Sequence, residues 1–360
     1  MGTEHSRHPY APDHTIPPGT VLRDVLHDKG LSQTDLAART GFSAKHINQI
    51  VQGIAPITHD TALSLEKVTG VPAGVWNRLE SSYREGLVLE RERKALSRDV
   101  DWLRFFPMSE LAKRNIVAST GDKITRLEQL LRFFGVADRT AWERIWLTPV
   151  ASFRRSKAFQ VNPGAVATWL RLGELEAQRL ECQLYDASRF RQALQKIRIL
   201  TPMDPAISYP RIVRLCADAG VAVVVVKEVK GCRATGAARW LTPTKALIQL
   251  SLRHKWEDIF WFALFHEAGH VLLHSKKETF IHDDQDDEVE REANQFAATA
   301  LIPPAYESRL RSVVAPAEAK ILANDLGIAP AIVVGRLQNE RIFDWNQGNS
   351  LRRRFDVAGA

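Results

Sequence analysis

The sequence predicts a mainly α, multidomain protein: an all-α N-terminal domain, a helical middle region, and a C-terminal α+β domain with a small sheet. Three observations carry that reading. Between Pro18 and Tyr83, short helical patterns alternate with Gly and Pro; a charged helical stretch then runs to about Arg198; and two β-like runs, Val221–Val226 and Lys245–Ser251, precede a further helical region. A length of 360 residues suits two or three cores, and 45% hydrophobic with 25% charged residues is ordinary globular composition.

The aliphatic run Val221–Val226 is too short to span a bilayer and reads as a buried strand. Met1–Pro9 lacks the apolar core of a signal peptide. Cys182, Cys216 and Cys232 have neither metal-like spacing nor the even number of a disulfide framework. A cytoplasmic protein without membrane contact is expected. The net charge of +7 permits an acidic partner such as nucleic acid but does not require one. Residues 1–16 are expected as a disordered tail, 17–83 as the helical domain, 84–200 as a helical connector, 201–345 as the α+β domain and 346–360 as a C-terminal tail.

In the first domain five short helices are expected: Leu22–Lys29, Ser32–Thr40, Ser43–Gln52, Thr58–Thr69 and Pro72–Tyr83. Ser32-Gln33-Thr34-Asp35 resembles a capping box. Thr40-Gly41-Phe42 makes a turn, with glycine where the bend is tight, and Ser43 caps the following helix. Ile47, Ile50 and Val51 then face inward, leaving Ala44, Lys45, His46, Asn48, Gln49 and Gln52 outward. Two short helices joined by such a turn suit a helix-turn-helix, and outward Lys, Asn and Gln suit base edges and phosphates. The wider segment, with Gly30-Leu31-Ser32-Gln33, Ile50-Val51-Gln52-Gly53 and Pro56-Ile57-Thr58, resembles the XRE-type DNA-binding domain of the HigA-like antitoxin branch. That resemblance implies a homodimer on an inverted-repeat operator in double-stranded DNA, touched by Gln33, Ser43, Lys45, His46, Asn48 and Gln49. Ala44 stands where many relatives carry a polar base-reader.

The last domain holds His266-Glu267-Ala268-Gly269-His270. Histidines four apart on a helix share one face and can bind one ion at about 2.0–2.1 Å. Glu267, at the edge of that face, suits the general base of a zinc-assisted hydrolysis. The preceding turns, Trp256 to Phe265, are apolar nearly all round and so buried, and buried histidines need partners. Glu290 is the preferred third ligand, with Asn294 one turn on, placed to hydrogen-bond a ligand histidine. Glu292 competes, but points to a different side of its helix from Asn294. His274 is expected beside the site rather than on the metal, and the acidic run His282–Glu288 as a solvated loop. His282, Tyr306 and Arg336 flank the motif as open candidates for stabilising an oxyanion. A second helix-turn-helix-like stretch, Ile321–Leu337, is so apolar that it reads as packing.

His266-Glu267-x-x-His270-x-x-x-His274, then Glu290-x-x-x-Asn294-x-Phe296-Ala297 and Ile302-Pro303, resembles the ImmA/IrrE family of metallo-endopeptidases over about Pro205 to Arg341. The resemblance implies a zincin-like fold, Zn2+ on His266, His270 and Glu290, and Glu267 as general base. Where the family usually has Met before the helix-ending Pro, Ile302 stands here. Two functions remain in view. One is a DNA-binding transcriptional regulator whose zinc endopeptidase cleaves a regulatory protein; the other is a non-enzymatic HigA-like antitoxin or repressor, paired with a cognate toxin, whose metal domain is structural or sensory.

Overall fold

A computed structural model describes residues 16–147, 162–253, 255–276, 278–281 and 288–356. The expected disordered tail lies outside the described residues save for Ile16. The chain divides into two compact units, residues 1–100 and 101–360.

The first unit is built of α1 (Pro18–Asp28), α2 (Gln33–Thr40), α3 (Ala44–Val51), α4 (His59–Thr69) and α5 (Ala73–Leu96). Leu22, Leu36, Ile47, Ile50, Leu65 and Trp76 close its core. α1 meets the end of α3 through Gly19, where a Cβ would come within 2.3 Å of the Ile50 and Val51 carbonyl oxygens. Only glycine permits that approach. The fifth helix is not short: it continues through Tyr83 to Leu96. Residues 84–96 are rich in Glu, Arg and Leu, and Glu80 pairs with Arg84 one turn on, so nothing stops the helix at 83.

The second unit is organised on a four-stranded sheet of order β1-β3-β2-β4, with β1 (Val221–Val225), β2 (Gly236–Thr242), β3 (Lys245–Leu250) and β4 (Phe280–Ile281). β1 runs parallel to β3, and β2 pairs antiparallel with both β3 and β4. Ahead of the sheet come α6 (Met108–Lys113), α7 (Lys123–Phe134), α8 (Arg139–Trp142), α9 (Pro163–Arg179), α10 (Ala187–Ile199) and α11 (Pro205–Ala217). After β3 come α12 (Glu257–Leu273), α13 (Glu288–Leu301), α14 (Glu307–Arg311), α15 (Pro316–Leu326) and α16 (Pro330–Asn339). The period of two along a strand divides the sheet faces. Val221, Val223, Ala238, Ala246 and Ile248 join the main core with α12, whereas Arg239 and Gln249 meet α9. Gln249 donates to the Trp169 carbonyl at 2.7 Å beside Gly173.

Two expectations need correction here. Of the stretch read as a connector, α9 and α10 are part of the second unit, with α9 on the sheet and Phe190, Leu194 and Ile197 of α10 in its core. The C-terminal stretch is no free tail up to residue 356. Phe355 is buried and stacks on Phe260 at 3.6 Å, while Arg352 and Arg353 pair with Asp258 and Glu257 in the first turn of α12. Those arginines neutralise two carboxylates that burial would otherwise make costly. α15 and α16 pack as expected, through Leu322, Leu326, Val333 and Leu337. Among the described residues, no helix is long and apolar enough to cross a membrane.

Candidate metal centre

α12 is buried along almost its whole length, including His266 and Glu267 at 0% exposure and His270 at 1%. Its partner is α13, and the two meet where Gly269 faces Ala293; a Cβ on Gly269 would lie 3.2 Å from the Ala293 Cα. Small residues at that crossing bring the α13 carboxylate within reach of the α12 histidines. His266 Nε2 lies 3.0 Å from His270 Nε2 and 3.1 Å from Glu290 Oε2, and His270 Nε2 lies 3.3 Å from Glu290 Oε1. Ligand bonds of about 2.0–2.1 Å in a tetrahedron would separate neighbouring donors by ~3.3 Å. These three groups therefore fit one ion of zinc's size, and they form a buried His-His-Glu group.

The outer ring nitrogens agree with that assignment. His266 Nδ1 donates to Asn294 Oδ1 at 2.9 Å, which puts the Nε2 lone pair on the side of His270 and Glu290. His270 Nδ1 lies 3.0 Å from His274 Nδ1, and His274 Nε2 donates to Glu292 Oε2 at 3.0 Å. In a neutral His274 with its proton on Nε2, Nδ1 is an acceptor; His270 then carries its own proton on Nδ1 and presents an Nε2 lone pair. Two lone pairs and a carboxylate converging in a dry site repel one another unless a cation lies between them.

Glu267 differs from its neighbours. Among the described residues, both its carboxylate oxygens are buried without a hydrogen-bond partner, and a Cβ on Gly236, at the start of β2, would lie 2.3 Å from Oε1. Burial, and secondarily the charge of Glu290, push its carboxyl well above the usual range. A cation in the His-His-Glu group would act in the opposite sense. Phe280 of β4 stacks on the His270 ring at 4.5 Å, and Phe262 tilts over His266 at 6.2 Å.

His266, His270, Glu290 and Asn294 thus come together, with Glu267 beside them. Glu292 is not in the group; it faces His274. The sequence reading missed that pairing, as well as the roles of Gly236 and Gly269. Arg336 is taken up by Glu340 and Glu307, Arg309 lies over the Tyr306 ring at 5.7 Å, and His282 is outside the described residues. So is most of the acidic run, 282–287.

In the first unit, Ser32 and Asp35 form a full capping box on α2 and Gly41 turns the chain with φ +78°. The Ser43 hydroxyl accepts from the His46 amide at 3.1 Å, capping α3. Lys45 and Asn48 are exposed, Gln33, His46 and Gln49 are half-buried, and the His46 ring packs edge-on against Phe42 at 5.4 Å. Asn48 also accepts from Gln52 at 3.4 Å.

Residues 22–76 match the helix-turn-helix family, and residues 234–315 match the IrrE N-terminal-like domain. The protein joins an XRE-type helix-turn-helix domain to an IrrE-like, peptidase-family domain. The IrrE-like match takes in Gly236, the α12 motif, Glu290 and Asn294. An addiction-module antidote protein of the HigA family from Coxiella burnetii is 26% identical, aligning over 24% of this chain and 95% of its own with a TM-score of 0.22. A Pseudomonas aeruginosa protein solved with its operator DNA is 30% identical, over 23% of this chain and 91% of its own, also with a TM-score of 0.22. No curated protein matches the chain.

Proposed function

We propose that the protein is a transcriptional regulator that binds an operator as a homodimer and carries a zinc-dependent endopeptidase acting on a regulatory protein. The observation that supports the peptidase is the convergence of His266, His270 and Glu290 beside an unpartnered buried carboxylate, Glu267. His266, His270 and Glu290 would hold Zn2+, which supplies Lewis acidity and an activated water when bound. Asn294 and His274 hold the two imidazoles in the tautomer that presents Nε2. Glu267 takes a proton on its carboxylate and returns it to the leaving amine. Its dry setting under Gly236 raises its basicity toward that task.

The test uses the full chain, a metal assay and an unbiased peptide library read by mass spectrometry. Zinc is expected at one equivalent per chain, and Glu267→Gln should keep it while cleavage falls by about 10²–10⁴-fold. Cleavage unchanged in Glu267→Gln would remove the mechanism. A second reading is favoured by the near-complete burial of the histidines and Glu267: the metal is structural or sensory, in an antitoxin-like repressor. One equivalent of zinc with no cleavage of any library peptide would select it.

Both readings share the DNA-binding end, where Lys45 and Asn48 stand exposed on α3 and Gln33, Ser43, His46 and Gln49 flank them. Lys45→Ala with Gln49→Ala should weaken operator binding about 10–100-fold and flatten its salt dependence by about one ion, measured by fluorescence anisotropy across salt. Unchanged affinity would remove α3 from the groove.

A further inference from the structure

On the sheet face that meets α9 there is a second cluster of buried charge. Arg239 of β2 donates Nη2 to the Leu170 carbonyl at 2.7 Å and lies with Nη1 3.0 Å from Glu174 Oε2. Arg171 binds the other Glu174 oxygen and donates Nε to the Phe133 carbonyl at 2.7 Å. The three side chains are only 12%, 14% and 19% exposed for Arg239, Arg171 and Glu174. Two guanidiniums therefore share one carboxylate, and a positive charge is left over in a poorly solvated place.

Among the described residues, the Nε–H of Arg239 is buried without a hydrogen-bond partner. Its guanidinium lies over the Trp146 ring at 5.6 Å, a contact that leaves the charge uncancelled. Burial pushes Arg239 below its ordinary value, with Glu174 opposing. Residues 148–161, which follow Trp146 and Leu147 directly, contain no Asp or Glu, so that segment brings no counter-charge. A buried, uncompensated charge is costly.

Beside these residues opens a cavity of about 250 Å³ whose apolar walls are Phe134, Ile145, Trp146 and Leu170. Guanidinium forks match carboxylate and phosphate alike. The walls separate the two, because a fully hydrated phosphate has nothing to offer Trp146 and Phe134, whereas a ring or short chain bearing one carboxylate does. We propose that this cavity binds a small organic acid, its carboxylate on Arg239 and Arg171 and its apolar part against Trp146. The site is separate from the His-His-Glu group and stands whether or not that group is catalytic.

Calorimetry on the full chain tests this with sodium benzoate and butyrate as probes, benzamide as the uncharged counterpart of benzoate, and inorganic phosphate. Saturable binding of a carboxylate at one per chain is expected, with none by benzamide. Arg239→Gln should weaken it about 10–100-fold, as for loss of charge-assisted hydrogen bonds. Should that variant lose its fold by circular dichroism, Arg171→Gln is read in the same way. The proposal is overturned if neither carboxylate saturates, if benzamide binds as well as benzoate, or if the folded variant binds unchanged. Phosphate binding in place of both carboxylates overturns the ligand class.

Discussion

α3 and α12 both carry polar residues on a helix, but one shows them to water and the other hides them. α3 is a short helix whose Ile47, Ile50 and Val51 are buried while Lys45 and Asn48 stand exposed. α12 buries His266, Glu267 and His270 together. An exposed side chain costs nothing to leave unpaired, so the outward face of α3 is free to vary with the partner it meets. A buried one must be satisfied, so each polar group on α12 fixes something else in the fold. Under the proposed function α3 is a replaceable reading head and α12 is half of a lock.

The comparison predicts unequal damage. His270→Ala removes a donor from the metal group, and also breaks the contacts to His274 and Phe280. Zinc affinity should fall by more than the roughly 10–100-fold typical of losing an outer partner. Operator affinity of the same full-length protein should stay within about twofold, because 22–76 has its own core. Zinc titration and anisotropy on one preparation check both. Equal losses in the two assays would mean that the units do not behave as separate bodies.

Glu292→Gln is the subtler probe of the lock. Glu292 holds His274, which in turn holds His270, so a neutral amide should weaken zinc binding by about tenfold while leaving the fold intact. His274→Asn should do no less, since an amide cannot pass the orientation through two ring nitrogens. Competition with a chromophoric chelator measures both. If Glu292→Gln leaves zinc affinity unchanged, the lock ends at His274.

What could be read from the sequence follows the same division. His266, His270, Glu290 and Asn294 were legible because each pair repeats at one helical turn, and that period survives folding unchanged. Glu292 was not, because its partner depends on how α12 crosses α13, which Gly269 and Ala293 set and no local pattern announces. Gly236 likewise matters only through Glu267, thirty-one residues later in the chain. The arginines at 352–353 read as part of a C-terminal tail, although they are the counter-charges of Asp258 and Glu257. In the first unit the caps and the turn at Gly41 were legible, being local hydrogen-bond chemistry; the length of α5 was not, for lack of a stop signal at 83.

Ser43 is where the two kinds of helix can be told apart within one residue. Its hydroxyl accepts from the His46 amide and is also exposed at the start of the face proposed to meet DNA. If it serves only as a cap, Ser43→Ala costs about 1 kcal/mol of stability, and Ser43→Asn, an equally good cap, restores it. Operator affinity should then follow stability in both variants, falling with Ala and returning with Asn. If the hydroxyl also touches a phosphate, Asn restores the fold but not the affinity. Hydrogen exchange at the α3 amides reads the first quantity and anisotropy reads the second. The cap uses only a lone pair of the hydroxyl, and its proton still rotates freely toward a phosphate, so the expected outcome is that Asn restores the fold but not the affinity.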